Sequence, residues 1–508
     1  MKKPVVYLIM DGWGIAPEGQ GNAITLAKKP TFDYLWNTYP HTEIGAGGEA
    51  IGLWKGHQGS SEMGHLIIGA GGNVYLPQGI AAHAIQSGEV FSNKAYNEAI
   101  DFAIAHNSTL HLPGLMSNAG VHSYDLLTHA LIELAAKKGL KDVVVHFFTD
   151  GRDTEPKDAH IYVDRLNEVF KKTGIGKIGS VMGRYWIMDR DHRWERVEKG
   201  YNAMVHGIAD FKANSAMEAI EMAYSRDETD EFISPTIIGE NKIKDNDVVI
   251  WTNVRTDRAI EISQALVEEN FPHFNRGIRP KIFYTATFKY YEELKAPYAF
   301  EREFPTNTLG EIISKAGLKQ FRVTETEKWI YVTTIFSGMR EFPFIGEERK
   351  LIESDKIATY DLQPKMHTLD IAKTAAEAIN SDLYNLIIIN FNNPDIIGHT
   401  GNIEATIMGV EECDKGLKIL VDAIIAKKGL LIVSADHGNA EVMLTAEGKP
   451  ETQHSANKVP FIVVNDDLEY KNIKLKSGGA LKDVTPTILE ILGVDKPEEM
   501  TGESLIEK

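Results

Sequence analysis

Short apolar runs that stop abruptly at charged residues recur along the chain and predict buried β-strands. They comprise residues 5–10, 143–149, 248–254, 386–389 and 430–433. Between them, apolar residues recur at helical spacing, for example over residues 126–136 and 371–379. Strands that alternate with helices indicate α/β layers with mostly parallel sheets. Because ligands of such sheets bind beyond the carboxyl ends of the strands, the residues that follow each run are candidate site residues.

These candidate residues fall into two chemical groups. Aspartate and histidine follow the runs near residue 11 and after residue 390, whereas arginine and acidic residues follow the runs between residues 120 and 260. This split predicts one domain inserted into another: residues 1–76 and 308–508 would form a discontinuous domain, and residues 77–307 the insert. Turn-like segments mark the predicted crossings, at residues 76–79 and 304–307.

Two late segments each place an aspartate and a histidine just after an apolar run. They read Asn-Pro-Asp-Ile-Ile-Gly-His, residues 393–399, and Ala-Asp-His-Gly-Asn, residues 435–439. Carboxylate and imidazole together are typical ligands of Zn²⁺ or Mn²⁺ in hydrolytic and phosphoryl-transfer sites. One ion takes only about three or four protein ligands, so two clusters indicate two metals, the usual clamp for displacement at phosphorus. A single Asp-His pair would more simply be a polar loop.

A glycine-rich segment, residues 56–65, supplies a candidate nucleophile. It reads Gly-His-Gln-Gly-Ser-Ser-Glu-Met-Gly-His, and the serine followed by glutamate and an apolar run predicts the start of a helix. A helix N-terminus favours a bound anion such as a phosphoryl group. A serine hydroxyl reacts poorly at neutral pH without a base or a metal, and two metals would supply that activation. The simpler alternative is a serine that only caps the helix.

Composition and charge narrow the class of protein. The 508 residues allow two or three domains. The single cysteine, Cys413, excludes an internal disulfide and fits a reducing cytoplasm. No stretch approaches the ~18 apolar residues of a membrane span. The formal net charge of −18 argues against non-specific binding to nucleic acid, so local arginines must gather an anionic small-molecule substrate.

Short motifs of glycine, arginine and acidic residues extend over nearly the whole chain. Besides the two Asp-His clusters, they are residues 10–14, 59–65, 120–123, 150–154, 183–185, 188–191, 255–258 and 325–328. Their order and spacing resemble those of the cofactor-independent (2,3-bisphosphoglycerate-independent) phosphoglycerate mutases of the alkaline phosphatase superfamily. The resemblance implies an α/β fold, with an alkaline-phosphatase-like three-layer metal domain and a second α/β domain inserted into it for substrate binding.

The resemblance also implies an activity, which is the interconversion of 3-phosphoglycerate and 2-phosphoglycerate in glycolysis and gluconeogenesis. The reaction would use a phosphoserine intermediate and two Mn²⁺ per chain, and no 2,3-bisphosphoglycerate. Ser61 would carry the phosphoryl group, and Asp153 would act as general acid and base on the glycerate hydroxyls. Without the resemblance, an ion pair between Asp153 and Arg152 is equally plausible. We expect a cytoplasmic monomer whose domains close around the substrate.

Ligand sets follow from the same resemblance. One Mn²⁺ would be held by Asp395, His399 and His454, and the other by Asp11, Ser61, Asp436 and His437. The substrate would be held by His122, Arg152, Asp153, Arg184, Arg190, Arg255, Arg258 and Lys328. By its sequence context alone, His454 is more simply a structural histidine.

Four positions differ from the family pattern, namely Ser60, the segment 117–120, Thr256 and Tyr331, and none of them is a proposed ligand or the nucleophile. Two alternatives stay open. The first is another enzyme on the same metal core, such as a phosphopentomutase or a phosphatase of a different ester. The second is a non-catalytic metal-binding or regulatory protein. The arginines of the insert favour a small carboxylated substrate over the first alternative.

Overall fold

The computed structural model describes residues 3–74, 77–301 and 304–507. The chain forms two compact units: Met1–Val74 with Phe304–Lys508, called unit 1, and Tyr75–Glu303, called unit 2. The first predicted crossing begins at Leu76, which lies outside the described residues. From Pro77 the chain is helical to Ser87, where a turn was predicted. Proline is accommodated there because the first turn of a helix does not use its N–H groups.

The strands are numbered along the chain. They are β1 (Val5–Met10), β2 (His41–Ile44), β3 (Leu110–Leu115), β4 (Val143–Thr149), β5 (Lys177–Gly183), β6 (Phe211–Ala213), β7 (Thr236–Ile238), β8 (Val248–Trp251), β9 (Phe283–Phe288), β10 (Tyr298–Phe300), β11 (Gln320–Glu325), β12 (Glu347–Ile352), β13 (Leu386–Phe391), β14 (Leu430–Ser434) and β15 (Val459–Val464).

The α-helices are numbered in the same way. They are α1 (Ala23–Leu26), α2 (Pro30–Thr38), α3 (Ser61–Ala70), α4 (Pro77–Ser87), α5 (Lys94–His106), α6 (Asp125–Lys137), α7 (Ala159–Thr173), α8 (Arg184–Ile187), α9 (Trp194–Tyr201), α10 (Ala216–Tyr224), α11 (Ile260–Val267), α12 (Leu309–Lys315), α13 (Thr368–Asn380), α14 (Asn393–Gly398), α15 (Ile403–Ala426), α16 (Leu468–Lys471) and α17 (Val484–Leu492). Among the described helices, none has the length and apolar character that crossing a membrane requires.

Unit 1 is built on a sheet with the strand order β12-β11-β13-β1-β14-β15-β2. The strands from β12 to β14 pair in parallel, and β15 and β2 pair antiparallel at one side. Every residue of β1, β13 and β14 is buried, so both faces of the central sheet are covered. This burial matches the three-layer arrangement that was expected, because a parallel sheet needs helices on both faces.

Unit 2 has its own sheet, with the strand order β10-β9-β8-β3-β4-β5-β7-β6. All neighbouring pairs are parallel except β5 with β7. Two α/β sheets in one chain confirm the predicted fold class.

Most predicted elements match the observed ones within a few residues. The run 5–10 forms β1, and the run 143–149 forms β4. The run 248–254 forms a strand only to Trp251, so the prediction was three residues too long. The reason is a change of partner: the amide of Val254 donates to the carbonyl of His122, in a loop outside the sheet.

Candidate active site

Three neighbouring strands of unit 1 bring three aspartates to one edge of the sheet. Asp11 follows β1, Asp395 lies on α14 just after β13, and Asp436 follows β14. Parallel pairing places the carboxyl ends of these strands side by side, so residues far apart in sequence meet. The loops approach closely because Gly12 has no side chain: a Cβ there would lie 2.8 Å from the Cα of Asp395, and its φ is +73°.

Ser61 begins helix α3 and points towards this edge. The capping role falls to its neighbour, because the Ser60 hydroxyl accepts a hydrogen bond from the amide of Met63 at 3.3 Å. The alternative that Ser61 only caps the helix is therefore wrong. The Ser61 Oγ atom lies 2.9 Å from His437 Nε2 and 3.4 Å from Asp11 Oδ1, in a buried position. The hydroxyl is thus aimed at the candidate ligands.

Lys328, predicted as a substrate-binding residue, lies in the same cluster. Its Nζ atom is 2.6 Å from Ser61 Oγ, 2.7 Å from Asp11 Oδ1 and 2.6 Å from Asp395 Oδ2. Burial lowers the pKa of the Lys328 ammonium, but the carboxylates of Asp11 and Asp395 raise this pKa by more. The side chain therefore stays charged beside the serine.

Three histidines surround Asp395. The Nε2 atoms of His399 and His454 lie 3.3 and 3.2 Å from Asp395 Oδ1, and 3.0 Å from each other. The Nδ1 atoms of these two rings face the backbone carbonyls of Thr452 and Gly59, at 2.8 and 2.9 Å. A carbonyl can only accept, so each Nδ1 carries a hydrogen, and in the neutral ring the lone pair is then on Nε2. This is the tautomer that a metal-binding histidine needs.

The third histidine, His437, lies between the aspartates. Its Nε2 atom is 3.6 Å from Asp11 Oδ1, 3.5 Å from Asp436 Oδ2 and 3.8 Å from Asp395 Oδ1. Two compact groups of possible ligands result, whose donor atoms lie within 4.8 Å of one another. They are Asp395 with His437 and His454, and Asp11 with His65 and Asp436.

These groups differ in part from the predicted ligand sets. His437 is grouped with Asp395, although its Nε2 atom lies closer to Asp436 and Asp11, and His65 joins the second group. No role was predicted for His65, although it stands in the quoted motif 59–65. Its signal is its position one helical turn after Ser61, which places both residues on one face of the helix.

The charge balance of the cluster favours a bound cation. Asp11, Asp395 and Asp436 are 0, 2 and 0% exposed, and Lys328 is the only lysine that the described contacts place among them. Burial raises the pKa of Asp11, and the Asp436 carboxylate raises it further. Buried carboxylates without matching positive charge are costly, whereas divalent cations offset that cost. Together with the imidazole lone pairs, this donor set fits divalent metal ions.

In unit 2, the predicted substrate residues also follow strand ends. Residues 150–154 follow β4, Arg184 follows β5, and residues 255–258 lie beyond β8. The Nη1 atom of Arg184 donates to Asp150 Oδ1 at 2.7 Å and also to Asp153 Oδ2. Arg152 instead pairs with Glu231 at 2.9 Å, so the alternative pair of Arg152 with Asp153 is wrong.

Asp257 lies within ion-pair distance of several of the other predicted substrate-binding residues. Its carboxylate lies 2.9 Å from Arg190 Nη1, 3.2 Å from Arg255 Nε and 3.8 Å from His122 Nδ1. Arg258 is held differently, since its Nη1 donates to the carbonyl of Met188 at 2.8 Å. No role was predicted for Asp257, although it stands inside the quoted motif between two arginines.

Several buried nitrogen atoms of this cluster have no hydrogen-bond partner among the described residues. They are Arg184 Nη2, Arg258 Nε and His122 Nδ1. Burial and the charge of Arg184 lower the pKa of His122 to about 3, so the ring is neutral at pH 7. The two arginine nitrogens can only donate, and buried donors without partners are unfavourable. Arginine forks suit carboxylates. The cluster therefore fits a small anionic ligand.

Comparisons with known proteins agree with this chemistry. The family described as BPG-independent PGAM N-terminus matches residues 81–293. The chain is 45% identical, over 514 residues and 100% of both chains, to the 2,3-bisphosphoglycerate-independent phosphoglycerate mutase of Clostridium perfringens (strain SM101 / Type A). The relative from C. perfringens strain 13 has the same identity and coverage. A crystal structure of Leishmania mexicana phosphoglycerate mutase at low cobalt concentration is 33% identical with a TM-score of 0.67, covering 100% of this chain and 98% of that chain.

Proposed function

Since the chain belongs to the family of 2,3-bisphosphoglycerate-independent phosphoglycerate mutases, we propose that it interconverts 3-phosphoglycerate and 2-phosphoglycerate through a phosphoryl group on Ser61. One observation carries the proposal: the Ser61 hydroxyl lies 2.6 Å from Lys328 Nζ and 2.9 Å from His437 Nε2. The serine thus lies beside a fixed positive charge and a candidate metal ligand. Its place at the first position of α3 also favours a bound phosphoryl group.

The enzyme depends on divalent metal, and we assign it two Mn²⁺ per chain. The predicted ligands are Asp395, His399 and His454 for one ion, and Asp11, Ser61, Asp436 and His437 for the other. The shared carboxylate and imidazole donors support this assignment, as does the position of the Nε2 atoms of His399 and His454 beside Asp395. When bound, divalent ions lower the pKa of a coordinated hydroxyl and stabilise charge on phosphoryl oxygens.

Lys328 and Ser61 of unit 1 bind the phosphate and attack phosphorus. Lys328 binds an oxygen of the substrate phosphate, and Ser61 Oγ, having lost its proton to solvent, attacks phosphorus as an alkoxide and leaves as an alkoxide in the second half. The bond from Ser61 to phosphorus forms as the ester bond to glycerate breaks, which leaves glycerate with two free hydroxyls. In the second half, the other hydroxyl attacks phosphorus and releases Ser61. Asp153 moves the hydroxyl protons, giving one to the departing oxygen and taking one from the attacking oxygen.

We assign glycerate binding to unit 2. Arg184 Nη2 and Arg258 Nε are buried donors without partners among the described residues. Burial, and then the charges of both arginines, lower the pKa of His122, so its ring is neutral at pH 7. The Arg184 contact also holds the Asp153 carboxylate. Arginines that retain glycerate separate a mutase from a phosphatase, because water would otherwise accept the phosphoryl group.

A coupled assay tests the function. Purified protein is given 3-phosphoglycerate, enolase and Mn²⁺, without 2,3-bisphosphoglycerate, and we expect phosphoenolpyruvate to form with little inorganic phosphate. Release of phosphate without phosphoenolpyruvate would identify a phosphatase instead. Ser61→Ala should abolish both turnover and the acid-stable phosphoenzyme, and a phosphoenzyme that persists in this variant would refute the assignment of Ser61.

We further propose that the enzyme acts as a cytoplasmic monomer. Cys413 is a free, buried thiol, which is compatible with a reducing compartment. Light scattering coupled to gel filtration tests the oligomeric state. A mass near 56.5 kDa supports the monomer, and twice that mass contradicts it.

A further inference from the structure

We propose that His65 and Asn390 act together as positioning residues, which join the carboxylates of Asp11 and Asp436 to the backbone of Ser61. In this arrangement His65 holds a metal ligand but does not itself bind metal. The inference rests on the proposed function, since it takes Asp11 and Asp436 as ligands.

Asn390 provides the first link. It lies on β13, is 0% exposed, and its Nδ2 atom lies 2.7 Å from Asp11 Oδ2 and 3.0 Å from His65 Nε2. A carboxylate oxygen accepts hydrogen bonds, so the atom that faces Asp11 must be the amide nitrogen. Its two hydrogens then go to Asp11 and to His65. The Nε2 atom of His65 is therefore an acceptor.

His65 provides the second link. Its Nδ1 atom lies 2.9 Å from the carbonyl oxygen of Ser61 and 3.1 Å from Asp436 Oδ2. Both oxygens accept, so Nδ1 carries the hydrogen. Together with the Nε2 acceptor this defines one neutral tautomer with both nitrogens engaged. Hydrogen bonds therefore run from Asp11 through Asn390 and His65 to the Ser61 carbonyl, and the Nδ1 atom of His65 also lies 3.1 Å from Asp436 Oδ2.

Packing around His65 holds these linked side chains in place. Helix α3 approaches the Asp436 loop so closely that a Cβ at Gly64 would lie 2.5 Å from the Asp436 carbonyl oxygen. Glycine at this position therefore permits the 3.1 Å contact of the next residue, His65, with the Asp436 side chain. The ring of Tyr331 covers His65, with ring centroids 5.8 Å apart.

The geometry argues against His65 as a metal ligand, although its donor atoms lie near those of Asp11 and Asp436. Binding through Nδ1 would require loss of the hydrogen that faces the Ser61 carbonyl. Binding through Nε2 would break the contact with Asn390 and leave a buried amide hydrogen unpaired. A partner that orients ligands is the arrangement more commonly found around protein-bound metals.

Metal binding to the metal-free protein tests the proposal. Calorimetric titration with Mn²⁺ is carried out on the wild type, His65→Phe, Asn390→Leu and the double variant, with kcat and KM measured at saturating Mn²⁺. We expect each single variant to bind one of two ions about 10- to 100-fold more weakly, with the stoichiometry unchanged. The double variant should bind Mn²⁺ no more weakly than the worse single variant, because both changes interrupt the same set of linked side chains.

Other outcomes overturn the proposal. Loss of one ion from the stoichiometry in His65→Phe but not in Asn390→Leu would make His65 a ligand. Unchanged affinity in both single variants, or additive losses in the double variant, would show that the pair does not act as a unit. If His65→Phe does not fold, Asn390→Leu and His65→Gln decide by the same criteria.

Two controls separate this inference from its premises. His146→Phe removes a fully buried, hydrogen-bonded histidine of unit 2, and should lower stability without changing Mn²⁺ affinity. Failure of the proposed function would appear in the wild type, as absence of metal binding or of phosphoserine. Failure of this inference alone would leave the wild type normal and the variants unchanged in affinity.

Discussion

The ammonium nitrogen of Lys328 lies 2.6 Å from the hydroxyl oxygen of Ser61. The same nitrogen contacts Asp11 and Asp395, which follow two neighbouring strands of the unit 1 sheet. Lys328 is thus held in place by the carboxylates of the metal cluster while it faces the nucleophile. A charge fixed before the reaction begins stabilises the developing negative charge without any cost of reorganisation.

Replacing Lys328 by methionine keeps an unbranched side chain as far as Cε and removes the charged ammonium group. We expect Lys328→Met to lower kcat/KM by about 10²- to 10³-fold, as loss of a preorganised electrostatic contact does. The coupled mutase assay measures the effect at saturating Mn²⁺. Lys373→Met, at a lysine whose side chain is 63% exposed, is the control and should leave activity unchanged. Wild-type activity in Lys328→Met would contradict the assigned role.

Arg184 tests the retention of glycerate. Arg184→Lys keeps the charge but loses the planar fork that joins Asp150 and Asp153 and leaves Nη2 free for a ligand. We expect KM to rise about 10-fold, equivalent to one charged hydrogen bond, and the ratio of phosphate release to mutase product to increase. Both products are measured in one reaction. Arg226→Lys, at the pair with Glu228, is the matched control. An unchanged ratio would argue that other residues retain glycerate.

Metal removal should destabilise unit 1 more than unit 2. Asp11, Asp395 and Asp436 are buried and outnumber the one lysine among them, so a bound cation stabilises the folded state. At a metal concentration 100 times the Kd, the gain is about 2.7 kcal/mol. Hydrogen exchange with and without a chelator measures each unit separately. Equal protection of unit 1 in both conditions would contradict the prediction, and added Mn²⁺ should reverse the effect.

Acid should destabilise unit 2 partly through His129. Burial, and then the charge of Arg165, lower the pKa of this imidazole to about 4 from an ordinary value of 6.5. The unfolded chain therefore binds a proton that the folded chain excludes between pH 6.5 and 4. Above pH 6.5 His129 does not lower the free energy of unfolding. As pH falls towards 4 it lowers this free energy, by about 2 kcal/mol at pH 5.

His129→Gln isolates this contribution. Urea unfolding at pH 7 and pH 5 should show a smaller loss of stability in the variant than in the wild type. The comparison with the wild type is needed because burial raises the pKa of Asp125 to about 6. Protonation of Asp125 therefore increases the stability of both proteins as pH falls, which opposes the effect of His129. His160→Gln, at an exposed position, should lose as much stability between pH 7 and pH 5 as the wild type does. Equal losses in all three proteins would exclude His129 as a cause.

Much of the active-site chemistry could be predicted because it depends on local patterns. The apolar runs before Asp11, Asp150 and Asp436 form the expected strands, since short β-branched runs bounded by charged residues encode buried parallel strands. The start of α3 was also predictable from its serines and the following glutamate. Which of the two serines caps the helix was not, because Ser60 and Ser61 have the same chemistry.

The sequence by itself determined the approximate positions of the strands, the donor types and the family, because these follow from residue identity and spacing. The tertiary structure alone decided which groups meet: Asp153 with Arg184, Arg152 with Glu231, and His65 with Asn390 and Asp436. Those partners are separated by up to hundreds of residues, and only the order of strands in a sheet brings them together. His454 shows the same limit, since nothing in its neighbourhood marks it, yet its ring lies 3.2 Å from Asp395. Contact between distant residues is a property of the fold, which no local pattern contains.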